Sequence, residues 1–183
     1  MSQVSQARWR NYTDMRIIRV RARPSRWTFT IPCIAALLTA YVGTGQGWID
    51  PFAGRYSPAE FTNDLNPDNP AIYHLEAVDF VNSLTNPGLY SGILFDPPYS
   101  YRQISESYGG VGLKATRFDT SSQFYNRVMN AACDKIKPGG LAISFGWNSN
   151  GFGANRGFEM IELLIVAHGQ HHNDTLVVVE RKQ

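Results

Sequence analysis

Ile93-Leu94-Phe95-Asp96-Pro97-Pro98-Tyr99 is the stretch whose reading decides the fold. Three apolar residues run into an acid, two prolines and an aromatic. The apolar run predicts a buried strand, and the prolines stop it. Asp96 is then expected at the carboxyl end of a strand, where open α/β sheets bind their ligands. Each proline fixes φ at about −65° and has no N–H to donate. What remains is a set of carbonyl oxygens on a stiff backbone. Asp96 adds a carboxylate and Tyr99 a ring face. A rigid acceptor pair beside a stacking surface suits a planar group that carries an –NH2.

The sequence upstream supplies short strands that end in acids. Trp48-Ile49-Asp50 predicts a brief strand, and Pro51-Phe52-Ala53-Gly54 a turn of small residues after it. Ala53 and Gly54 allow a ligand to approach the backbone closely. No G-x-G-x-x-G fingerprint is present. Only residues 57–61 could form a helix after this strand. Phe61 to Asp64 predicts a second strand ending in an acid, before the turn at Pro67. An acid in that position commonly accepts from ribose hydroxyls, because a carboxylate takes two hydrogen bonds at once. Residues 73–81 read as a third strand running into a helix. Further back, residues 25–30 have a β-like pattern, and Pro32 opens a helix that runs through Tyr41 before Gly43 and Gly45.

Downstream, residues 100–121 lack clear periodicity and interleave Tyr101, Arg102, Tyr108, Lys114, Arg117 and Phe118 with glycines and serines. Such a long loop is usually functional, and bases among aromatics suit a flipped or single-stranded nucleotide. Apolar residues at Phe124, Val128, Ala131, Ala132 and Ile136 predict a helix, stopped by Lys137-Pro138-Gly139-Gly140. Residues 141–145 read as a buried strand. Residues 161–167 and 175–180 read as a terminal hairpin around the 169–174 turn. His168, His171 and His172 lack acid or cysteine partners at ligand spacing, so no metal site is expected.

With 183 residues, 43% of them hydrophobic and 17% charged, the chain fits one domain with a full core. Cys33 and Cys133 form no framework, which suits a reduced, cytoplasmic compartment. The longest apolar run, residues 31–42, is too short to span a bilayer, and no membrane association is expected. The net charge of +2 is uneven. Residues 1–26 hold Arg8, Arg10, Arg16, Arg19, Arg21, Arg23 and Arg26 against Asp14 alone. They read as a basic arm suited to phosphate contact, on a slightly acidic body spanning 27–183.

Asp96-Pro97-Pro98-Tyr99 resembles the signature of the amino-methyltransferases, which move a methyl group from S-adenosylmethionine (SAM) to an exocyclic amine in nucleic acid. Asp-Pro-Phe-Ala, Thr-Asn-Asp-Leu-Asn-Pro, Asp-Pro-Pro-Tyr-Ser and His-Asn-Asp-Thr occur in this order, which closely resembles small, site-specific DNA methyltransferases of phage type. The resemblance implies a Rossmann-like α/β fold, mostly parallel, with a C-terminal antiparallel hairpin. It implies catalysis by Asp96, Pro97, Pro98 and Tyr99 on DNA, with adenine N6 favoured over cytosine N4. It implies a SAM site at Phe29, Thr30, Ile31, Pro32, Asp50, Pro51, Phe52, Ala53, Gly54, Asp64 and Glu76. The second glycine of that family's cofactor loop is missing, with Arg55-Tyr56-Ser57-Pro58 in its place. No separate target-recognition domain fits. Site choice is left to the 100–121 loop, the arm, a partner subunit or a second copy. RNA is the rival substrate, and a non-catalytic nucleic-acid-binding subunit the rival class.

Overall fold

The structure is a computed structural model and describes residues 15–98, 122–169 and 172–183. Tyr99, Arg102, Lys114, Arg117, Arg8, Arg10 and His171 lie outside the described residues. Seven strands form one sheet: β1 (Arg16–Arg21), β2 (Trp48–Asp50), β3 (Phe61–Thr62), β4 (Tyr90–Phe95), β5 (Ile136–Gly146), β6 (Phe158–Ala167) and β7 (Thr175–Lys182). Their order is β1-β6-β7-β5-β4-β2-β3. Only β7 runs antiparallel to its neighbours β5 and β6, so the mostly parallel sheet with a C-terminal antiparallel pair is as expected. Among the described residues three helices, α1 (Pro32–Tyr41), α2 (Ala77–Ser83) and α3 (Ser122–Cys133), cover it.

The two faces are packed separately. Ile34, Leu37 and Leu38 of α1 meet Leu94, Ile143, Phe145, Leu164, Val177 and Val179 on one side. Phe80 and Val81 of α2 join Phe124, Val128 and Ala132 of α3 against Ile93, Phe95 and Ala142 on the other. This is why Ile93-Leu94-Phe95 is apolar without alternation: a central strand of a parallel sheet is buried on both faces. Burial of a side chain such as Phe80 contributes about 1.5–3 kcal/mol.

Several local expectations are corrected. Within the basic arm, Arg16–Arg21 forms a strand that pairs in parallel with β6 at the sheet edge, from Arg16↔Glu162 to Arg21↔Ala167. Ile18 and Val20 pack on the α1 side, while Arg19 and Arg21 face the opposite way. Charged residues on an edge strand are a common guard against further pairing. Residues 25–30 form no strand; Thr28–Thr30 is a 3-10 turn. Residues 51–60 contain no helix. The third strand shrinks to one parallel bridge between Asn63 and Tyr73. Lys137 to Gly140 does not end an element before a new strand starts. It is a bulge inside β5, where the register jumps from Tyr90↔Ile136 to Gly92↔Leu141. Pro138 has no N–H for the ladder, so pairing is interrupted there.

Candidate active site

At the carboxyl end of the parallel strands lies an open cleft of about 1070 Å³. Asp96, Pro97 and Pro98 project into it directly after β4. Asp96 is half-buried and Pro97 buried. The Tyr125 hydroxyl of α3 donates to the Pro98 carbonyl and fixes this corner. Burial pushes the Tyr125 phenol up to about 12, so it stays a donor at any ordinary pH.

Pro51, Phe52, Ala53 and Gly54 line the same cleft. Phe52 packs edge-on against Phe95 with ring centres 5.6 Å apart, and against Phe124 at 6.5 Å. That aromatic contact locks the loop after β2 to the corner after β4. Asp64 also lines the cleft and holds the loop through its carboxylate, which accepts from the Gly54 N–H at 2.9 Å and the Asn66 N–H at 2.8 Å. Glu76 lines it from the residue preceding α2.

Asp50 is placed differently from its neighbours. It is fully buried beneath the loop and does not line the cleft. Its Oδ1 accepts from the Phe52 N–H at 2.9 Å and its Oδ2 from the Ser57 hydroxyl at 2.6 Å. Burial pushes its carboxyl up to about 7; the charges of Asp96 and Asp64 push the same way, and the two hydrogen bonds oppose them. Of the segment before α1, Phe29 and Ile31 line the cleft, whereas Thr30 and Pro32 do not. The Thr30 hydroxyl instead donates to the Trp27 carbonyl at 2.8 Å and closes the 3-10 turn.

Sequence reasoning missed four contributors. Asn63 is buried and ties three segments together: its amide donates to the Pro51 and Leu75 carbonyls at 3.1 and 2.9 Å, and its Oδ1 accepts from the Leu75 N–H at 2.9 Å. In the sequence it is one polar residue inside the short second strand. Trp27 lines the cleft, 5.7 Å and edge-on from Tyr56, with the Arg26 guanidinium 5.1 Å from its ring centre. Trp147 lines the cleft half-exposed, just past β5. His168 pins the arm: Nδ1 donates to the Ala22 carbonyl at 3.0 Å, and Nε2 lies 2.9 Å from the Thr175 hydroxyl. Among the described residues no group of three or more His, Cys, Asp or Glu side chains is arranged to hold a metal.

The arm arginines divide. Arg16 is 3.2 Å from the Glu162 carboxylate, which is buried and also accepts from the Tyr41 hydroxyl at 2.7 Å. Arg19, Arg21 and Arg23 are exposed.

No family model and no curated protein matches the chain. Solved structures do. 1,6-Didemethyltoxoflavin-N1-methyltransferase of Burkholderia thailandensis, solved with 1,6-didemethyltoxoflavin and S-adenosylhomocysteine, superposes with a TM-score of 0.53 at 12% identity, over 81% of this chain and 76% of that one. TrmN of Thermus thermophilus gives 0.54 at 16% identity over 84% of this chain and 49% of TrmN, so the chain spans about half of TrmN's length. The N-methyltransferase NodS of Bradyrhizobium japonicum WM9 gives 0.50 at 9% identity, over 81% and 93%. At these identities the likeness speaks for the architecture. The chain has the Rossmann-like α/β fold of methyltransferases.

Proposed function

We propose that the protein is a SAM-dependent methyltransferase that acts on the exocyclic amine of a base in DNA, adenine N6 above all. The observation that carries this is the meeting of two elements in one cleft. Asp96-Pro97-Pro98 opens into the space that Pro51 to Gly54, Asp64 and Glu76 also line, and Phe52 against Phe95 joins the two halves.

The donor set fits the cofactor. The carboxylates of Asp64 and Glu76 and the backbone at Ala53 and Gly54 suit ribose hydroxyls, an adenine amine and a cationic centre. Phe29 and Ile31 supply an apolar wall. The volume exceeds that of a single drug-sized ligand, which leaves room for a base beside it. When bound, SAM supplies an electrophilic methyl on a sulfonium.

Asp96 and the Pro97 carbonyl accept the two N–H bonds of the incoming amine. The nitrogen lone pair, otherwise delocalised into the ring, is thereby drawn out of conjugation and aimed at the methyl. The Asp96 carboxylate, or water beside it, would take the extra proton that the nitrogen carries once it is methylated. The Pro98 carbonyl, already accepting from Tyr125, stiffens the corner rather than binding the amine. Tyr99 stacks on the base. Holding both reactants in line can supply roughly 7–11 kcal/mol of the barrier. Arg19, Arg21 and Arg23, exposed on and just after the edge strand, contact phosphate.

Methyl transfer from labelled SAM to matched DNA and RNA oligonucleotides tests the reading. DNA-dependent incorporation at N6, abolished by Asp96→Ala with S-adenosylhomocysteine binding retained, is expected. Wild-type transfer by Asp96→Ala would refute the role of Asp96. Transfer to RNA alone would move the substrate assignment.

A further inference from the structure

The connection from β2 to β3 carries no helix across residues 51–60, yet its first four residues line the cleft. A bare loop must be fixed by other means if it is to hold a ligand. Here it is lashed from three sides. The Ala53 N–H donates to the Asn63 carbonyl at 2.9 Å and the Gly54 N–H to Asp64. The far end is tucked under Gly45, where an added Cβ would lie 1.8 Å from the Pro58 carbonyl oxygen. The middle is held from below, where Ser57 and the Phe52 N–H both donate to Asp50. Ser57 also accepts from the Ala59 N–H at 3.3 Å, so its hydroxyl connects Asp50 to the outgoing limb of the loop.

We propose that Ser57 and Asp50 are positioning residues for the cofactor loop: the Ser57 hydroxyl, acting through the buried Asp50 carboxylate, holds the Pro51 to Gly54 backbone in its ligand-ready form without touching the ligand. Ser57 stands in the Arg55-Tyr56-Ser57-Pro58 segment, where the expected second glycine is missing. The inference rests on the SAM site proposed above and not on the identity of the methyl acceptor.

The arrangement has a pH signature. Ser57 and Phe52 present two donors to Asp50, and an ionised carboxylate accepts both. A protonated Asp50 has a hydrogen of its own to place and competes with the Ser57 hydroxyl. The charged groups that face Asp50 are Asp96 from the end of β4 and Asp64 from beyond β3, both acidic, and burial holds the carboxyl at about 7. The loop therefore tightens as pH rises through neutrality.

Titration calorimetry of the full chain with S-adenosylhomocysteine, from pH 6 to 8.5, tests this. Wild-type affinity is expected to rise several-fold with a midpoint near 7. Ser57→Ala should weaken binding about tenfold or more at pH 8, the loss of one hydrogen bond to a charge, and move the midpoint upward. Ser57→Thr should restore both. Asp50→Asn, which accepts from Phe52 and donates to Ser57, should bind with a flat pH profile. Circular dichroism and Tm of each variant establish that the fold is kept. Ser57→Ala binding like wild type, or Asp50→Asn keeping the pH profile, overturns the positioning role and leaves the SAM site standing. Wild type that binds no S-adenosylhomocysteine at any pH overturns both.

Discussion

Removing the Arg16 guanidinium separates a structural reading of the arm from an electrostatic one. Glu162 lies inside the sheet with its side chain 3% exposed, while Arg16 is 68% exposed and reaches it at 3.2 Å. Its other partner is the Tyr41 hydroxyl, which burial and the hydrogen bond to Glu162 hold above its ordinary pKa and so keep protonated. Arg16→Ala leaves a buried carboxylate with one neutral donor. Truncating one partner of a fully buried pair costs about 3–5 kcal/mol. Arg16 is mostly in solvent, which screens the interaction and lowers that figure to about 1–2 kcal/mol. For a domain of this size that is a fall of roughly 2–8 °C in Tm. Urea denaturation of Arg16→Ala, Glu162→Gln and the double variant gives the coupling. Arg16→Ala should cost less than about 0.5 kcal/mol in the Glu162→Gln background, because the charge it offsets is gone. Equal costs in both backgrounds, or no cost in either, would refute the docking of β1 through Glu162. DNA affinity plotted against salt should keep its slope in Arg16→Ala, since this arginine is engaged by protein.

Four further outcomes follow. Deleting residues 2–14, which carry Arg8 and Arg10 and stop short of β1, should lower the salt slope of DNA binding by roughly 2 and leave Tm unchanged; an unchanged slope makes this part of the arm a bystander. Phe152→Ala should cost about 3–5 kcal/mol in chemical denaturation, because Phe152 is fully buried between Phe95 at 5.7 Å and Phe158 at 5.1 Å. Tyr125→Phe frees the Pro98 carbonyl and should reduce kcat by about tenfold with S-adenosylhomocysteine affinity unchanged, a single hydrogen bond to the reacting corner. Asp50 has its folded pKa raised above the unfolded value, so it contributes stability at low pH that is lost as pH rises from about 4 to about 7. Relative to Asp50→Asn, wild type should lose at most about 1.4 kcal/mol per pH unit across that window and change no further above it.

What could be read from the sequence was what local chemistry decides. The bounds of α1 follow from Pro32 at the first turn and the glycines after Tyr41. Asp96 at the end of β4 follows from an apolar run cut off by two prolines. The misses share a cause, which is that partners distant in sequence overrode the local pattern. Ile18 and Val20 alternate with arginines, and nothing nearby says that β6 waits to pair with them. Lys137 to Gly140 contains stop signals, yet β4 pairs with Ile136 before them and with Leu141 after them and turns a break into a bulge. Asp50 and Asp64 are both acids at strand ends. Only the packing distinguishes the one buried beneath the loop from the one at its surface.

The docking of β1 also sets an order of events. Ala22 and His168, which meet across the end of this strand, are 146 positions apart. β1 therefore has no partner until residues about 146 positions further along have followed it. Closing a loop of that length gains nothing until β6 is in place beside β7, so the edge strand should be the last element to join the sheet. Until then β1, with Arg16, Arg19 and Arg21, has no strand to pair with. Once docked, it is held by one edge only, and its amides should be among the first in the sheet to exchange with solvent.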